Sequence, residues 1–225
     1  MAEFLVFTLA GAMGSFGDLA GHERRGSQLW PGRSAVLGLI GAALGVRRED
    51  AAGQAALADW RMAVGTLSLG APFRDFHTAQ AVPTARIKRP NARRHALAAL
   101  KPSDNPVLTL RDYVTDCAFA VALWGGDGPV LAEALAAPYF TPYLGRKACP
   151  LTVPMAPRLV EAETPVAALS HAVRPRWAET AQVGAVACDN YPGVSGLRET
   201  RWDDPADRAS WSFRSRSVIH LEGGT

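Results

Sequence analysis

The sequence predicts an α+β fold of the modified ferredoxin-like, RRM-type kind, interrupted by a basic insertion and ending in a loop-rich C-terminal part. Three observations carry this. An N-terminal strand pattern runs through a glycine-rich turn into a helix. A second strand-then-helix unit follows near the middle of the chain. Between them lies a stretch, residues 79–101, rich in turn residues and cations and without one acid.

Residues 3–10 place Phe4, Val6 and Thr8 on one face of a strand and Leu5, Phe7 and Leu9 on the other. A strand largely apolar on both faces belongs in the interior of a sheet. It runs into GAMGSFGDLAG, whose Gly11, Gly14, Gly17 and Gly21 fit neither Walker A nor GxGxxG spacing. Glycines there still let a ligand or another strand approach the backbone closely. Residues 34–46 read as a helix with Ser34 as N-cap. Leu37, Ile40 and Leu44 form its apolar stripe, while Gly38, Gly41 and Gly45 form a second stripe without side chains, predicting close packing of another backbone. Arg33 sits at the positive end of this helix's dipole, which is unfavourable unless an anion joins it. That points to a phosphate; the plainer alternative is a cation extended into water.

Residues 50–62 read as a second, Ala-rich helix, and 64–69 and 73–77 as short strands. Residues 116–124 (DCAFAVALW) give the clearest strand, with Cys117, Phe119, Val121 and Leu123 on one face and Ala118, Ala120 and Ala122 on the other. Helices are expected over 129–137 and 165–172, loops through most of 174–208, and a last strand over 211–221. Arg214 and Arg216 share one face of that strand, either solvated or turned toward RNA.

The charge distribution narrows the function. The chain has 24 Lys+Arg against 21 Asp+Glu, and six of the cations (Arg86, Lys88, Arg89, Arg93, Arg94 and Lys101) fall within 79–101. Without them the remainder carries 18 basic against 21 acidic residues, a net of −3, so the formal +3 is made by the insert alone. Clustered Arg and Lys are rewarded by polyanions through counterion release; the alternative is a solvated loop. Residues 138–151 (PYFTPYLGRKACPL) set two tyrosines beside Arg146 and Lys147 on a proline-fixed chain, the combination that base stacking plus phosphate contact requires. The uncharged apolar run 35–46 is far short of the ~18–20 residues a bilayer span needs. The N-terminus lacks the basic start of a signal peptide. Three widely separated cysteines form no CxxC pair and the histidines no metal-ligand spacing. A reducing cytoplasm, no metal and no cofactor are the resulting expectations.

Five segments in order carry a resemblance: LAGAMGSFGD, PGRSAVLGLIGAALGV, RDFHT, LRDYVTDCAFAVALW and YFTPYLGRKACPLTVP. Together they resemble the CasD family of the RAMP superfamily, subunits of Cascade, the type I-E CRISPR surveillance complex. The resemblance covers the first fifty residues and 111–154 and thins beyond Pro157. It implies a hand: a ferredoxin-like palm over 1–77 and 112–225, and an inserted thumb over 78–111. Palm and thumb would grip the 5′ handle of the CRISPR RNA. The subunit would cap the CasC backbone filament, contact the large subunit CasA, and meet target DNA only through the complex; no membrane is involved. The implied RNA-binding residues are Gly11, Met13, Gly14, Arg25, Arg33, Arg74, His77, Arg111, Tyr143, Gly145, Arg146 and Lys147, with Arg86, Lys88, Arg89, Arg93 and Arg94 in the thumb.

Segregated positive charge, aromatics beside cations, and the lack of a complete catalytic constellation favour a non-catalytic RNA-binding scaffold. The alternative is a metal-independent endoribonuclease, because relatives in other CRISPR subtypes process repeat RNA. It would draft His77, Tyr143 and Lys147 as acid, base and phosphorane-stabilising cation. A third reading is an adaptor whose basic arm grips an acidic protein.

Overall fold

The computed structural model describes residues 1–17, 21, 23–80, 82, 89–208, 210 and 212–222. Strand β1 (Ala2–Gly14) continues through the first glycines rather than stopping before them. It lies between two antiparallel partners, as its doubly apolar pattern predicts. A two-residue strand β2 (Arg24–Arg25) precedes helix α1 (Arg33–Ala43). The N-cap of α1 is Gly32, with no side-chain bond, and not Ser34. Helix α2 (Ala51–Leu57) is capped by Asp50, which accepts from Gly53 N–H at 2.9 Å. It ends five residues before the expected boundary at 62 because the chain turns into β3 (Arg61–Ser68), where Met62 and Val64 face one way and Ala63 the other.

Strand β4 (Pro72–Ala79), the short helix α3 (Arg93–Ala98) and the first half of β5 (Val107–Trp124) form an arm. Antiparallel pairing along its stem runs from Pro72↔Val114 to Ala79↔Val107. Helix α4 (Gly128–Ala136) follows, capped by Asp127. Then come β6 (Arg158–Ala162), the one-turn helix α5 (Pro165–Ala168), β7 (Val186–Cys188), and the hairpin of β8 (Leu197–Asp207) and β9 (Ser212–Leu221). Loops do make up about half of residues 174–208, as expected, but the stretch also holds β7 and the eleven-residue strand β8. β8 escapes a pattern search because it is an edge strand, paired among the described residues with β9 alone, and so keeps a polar, mostly exposed sequence.

The nine strands of the described residues join one sheet with the path β6-β1-β5-β3-β7-β9-β8, to which β2 and β4 add by pairing with β5. β5 is the axis of the molecule. Its 117–124 half lies between β1 and β3, and its 107–114 half carries the arm. Asp116, with φ 44°, marks the joint between them. On one sheet face Leu5, Phe7, Leu9, Phe119, Val121 and Leu123 pack against α1 and α4. On the other, Ala118, Ala120 and Ala122 let Ala168, Leu169 and Ala172 pack close. Among the described residues no helix is long and apolar enough to cross a membrane.

Candidate nucleic-acid interface

The end of β1 is a tightly built joint. A side chain on Gly11 would put its Cβ 2.7 Å from Leu144 Cδ1 and 3.1 Å from the Pro150 carbonyl, and one on Gly14 would meet Phe16 at 2.7 Å and Cys117 Sγ at 3.2 Å. The space is taken by the 143–150 loop, folded back by the Tyr143↔Pro150 bridge and by Leu144 N–H donating to Cys149 O at 2.8 Å. Ser15 N–H in turn donates to Leu144 O at 3.0 Å. Gly145 adopts φ +81°, and a Cβ there would lie 1.7 Å from Ser15 O, so only glycine closes this contact.

The joint gathers cations. β2 pairs in parallel with β5, setting Arg25 beside Arg111. Arg146 Nη2 donates to the Arg25 carbonyl at 3.0 Å, and its guanidinium stacks over the Tyr113 ring at 4.6 Å. Lys147 beside it is exposed, as are Tyr143 and Gly145. Arg111 Nε and Arg146 Nη1 are closed off from solvent without a hydrogen-bond partner among the described residues. Asp112 is taken up by two other cations: Arg74 Nε donates to it at 2.6 Å and Arg24 Nη2 at 3.1 Å. The Arg74 hydrogen bond is the main cause holding the Asp112 carboxyl below its ordinary range. Arg25, Arg111, Arg146 and Lys147 have no carboxylate within 4 Å among the described residues.

Of the remaining expected residues, one lies at the end of β1 and the others along the arm. Met13 is half-buried at the end of β1, opposite Thr115. His77 lies on β4 opposite Thr109 and 3.8 Å from Asp75. Thr109 is four strand residues from Tyr113, roughly 13 Å, so His77 is set well apart from the Arg146 stack. Arg89, Arg93 and Arg94 are exposed at and beside α3, with Arg93 donating to Gln80 O at 2.6 Å. Arg86 and Lys88 lie outside the described residues.

Arg33 is a correction. It is 3% exposed and cannot face a phosphate. Its backbone N–H donates to Asp203 Oδ2 at 2.8 Å, its Nε to Asp204 Oδ1 at 2.7 Å, and its Nη2 to Ala58 O at 2.7 Å. The anion required at the start of α1 is therefore the protein's own. Arg216, expected to be solvated or RNA-facing, is neither: it donates to Asp203 Oδ1 at 2.6 Å and to Asp189. Asp189 also accepts from Met62 N–H at 2.9 Å. The network ties α1, β3 and the β8–β9 hairpin together. Burial pushes the Asp203 carboxyl up, but the Arg216 bonds and charge, with the Arg33 N–H, outweigh it and leave it lowered.

Comparison with known proteins bears on the whole chain. The family model described as "CRISPR-associated protein (Cas_Cas5)" matches residues 4–219. The chain belongs to the Cas5 family. The Cascade subunit CasD of Escherichia coli (strain K12) is 32% identical to it over 248 residues, covering 100% of this chain and 98% of that protein. A chain of a solved CRISPR RNA-guided surveillance complex superposes with a TM-score of 0.72 at 29% identity, covering 99% of this chain and 90% of the other. The crystal structure of another Cas protein shares the fold, with a TM-score of 0.62 at 23% identity. Three residues of the Cas5 joint escaped the sequence reading: Tyr113, Arg24 and Asp112. Tyr113 alternates within a strand and looks like core. The role of Arg24 depends on β2, a strand of two residues that no pattern search resolves.

Proposed function

We propose that this chain serves as a CasD-type subunit of a CRISPR RNA-guided surveillance complex, holding the 5′ handle of the guide RNA without cutting it. One observation carries the reading: the fold brings Arg25, Arg111, Arg146 and Lys147 to the joint beneath the arm, next to exposed Tyr143 and, among the described residues, without a neutralising carboxylate. Such a cluster repels itself and is relieved by phosphate, which releases counterions on binding. In this reading residues 78–111 act as a thumb, and 1–77 with 112–225 form a ferredoxin-like palm. Gly11 and Gly14 are buried and do not touch RNA themselves; with Gly145 they hold the 143–150 loop against the end of β1, which sets Tyr143, Arg146 and Lys147 in place. CasC and CasA are the neighbouring subunits, target DNA is met through the complex, and the assembly works in the cytoplasm. His77 serves the arm rather than a cleavage reaction.

Hydrogen bonds to charged groups contribute about 1.5–3 kcal/mol each. Replacing Arg25, Arg111 and Lys147 together by alanine therefore weakens binding to handle-bearing guide RNA by at least about a thousandfold. The preference over RNA lacking the handle is lost with it, and RNA recovered from the wild-type mixture in EDTA is intact. Unchanged affinity contradicts the assignment, and a site-specific cut contradicts the non-catalytic role.

A further inference from the structure

Beside the joint lies a cleft of about 730 Å³, within the ~300–1,000 Å³ range of small-ligand sites. One wall is the Ser15–Gly17 segment with Tyr143 and Gly145, part of the RNA surface above. The opposite wall is the outer face of α1, and the lining continues with Arg47, Arg48, Arg208, Phe140 and Phe213. Its charge is three arginines against Glu49. Arg208 donates to Ser34 O at 3.1 Å, which lays it along the first turn of α1. Burial and the nearby Arg48 together depress its pKa, so these cations crowd one another.

Gly38 supplies the second, independent observation. The other two glycines of the α1 stripe have packing reasons: a Cβ on Gly41 would meet Leu57 Cδ1 at 2.9 Å, and Gly45 has φ +75°. Gly38 is exposed in mid-helix, and a Cβ there would find nothing nearer than Arg208 Nη2 at 3.9 Å. No neighbour among the described residues requires glycine at that position, yet its absent side chain keeps the cleft open.

We propose that this cleft receives one unpaired nucleotide of the guide RNA, with its base against the Phe140, Tyr143 and Phe213 rings and its phosphate on Arg47, Arg48 and Arg208. Aromatic faces accept any base by stacking, and arginines pair with phosphate oxygens. The inference rests on the RNA-binding reading and adds a binding pocket to it.

Gly38→Leu fills the cleft without backbone strain, and Gly38→Ala serves as the fold control, with an expected rise in Tm because helical glycine is unfavourable. Binding is measured by fluorescence anisotropy with handle-bearing guide RNA and with a series in which one handle nucleotide at a time is abasic. Wild type loses about tenfold at one abasic position, the stacking contribution of one base. Gly38→Leu binds intact RNA about tenfold more weakly and no longer senses that position. If Gly38→Leu retains wild-type affinity and the same abasic profile while the Arg25/Arg111/Lys147 variant is impaired, the cleft is not the site and the RNA reading stands. If neither variant loses affinity, both are overturned.

Discussion

Gly145 and Asp203 show how single residues divide between the interface and the body. Gly145 closes the loop onto Ser15 with no room for a methyl group, in a conformation that costs a non-glycine residue about 1–3 kcal/mol. Gly145→Ala is expected to lower the unfolding free energy by at least about 1–3 kcal/mol and to weaken RNA binding beyond that loss. Denaturant titration and anisotropy on the same sample separate the two effects. Asp203 belongs to the body. Its folded pKa lies below the ordinary carboxylate value, so its stabilisation is present above pH ~4 and is lost as pH falls through the lower, folded value. Unfolding free energy should fall in that acid window, and Asp203→Asn should flatten the fall while lowering the plateau at neutral pH. The sequence shows that the start of α1 needs an anion, but the carboxylate that supplies it is 170 residues away. Local patterns cannot distinguish a distant aspartate from a bound phosphate.

The elements differ in how far pattern alone reveals them. β1 and the 117–124 half of β5 are plain because both faces are buried, and their two-sided alternation survives in the two cores. β8 is hidden because an edge strand needs only one apolar neighbour and tolerates charge. The joint is half legible. Its glycines and the YLGRK run stand out in the sequence, whereas their mutual contact depends on the turn between Tyr143 and Pro150. The arm belongs to this scale as well. α3 and its flank present Arg89, Arg93 and Arg94 to solvent. Each phosphate neutralised on single-stranded nucleic acid adds about 0.7 to the slope of log affinity against log salt. Replacing the three by alanine should flatten that slope by about 2, as read from binding isotherms at several salt concentrations. An unchanged slope would remove the arm from the RNA path.

At the scale of the whole molecule, one long strand organises both parts. β5 is core where β1 and β3 flank it and stem where β4 and β2 flank it, so arm and body share a rigid element and the cation cluster sits where it passes from one to the other. Composition sets six cations and no acid within 79–101 of an otherwise acidic chain, and the order of motifs foretold the family. Neither could show that β4 pairs with β5 from Pro72↔Val114 to Ala79↔Val107 or that Arg146 leans on Tyr113. The most direct test of the RNA-holding joint is ultraviolet crosslinking of handle-bearing guide RNA to the purified chain, with adducts mapped by mass spectrometry. Adducts at Tyr143, at neighbouring loop residues and on the arm are predicted, and they should disappear in the Arg25/Arg111/Lys147 variant. Adducts confined to β6 and the exposed face of β8 around Trp202 would contradict the account.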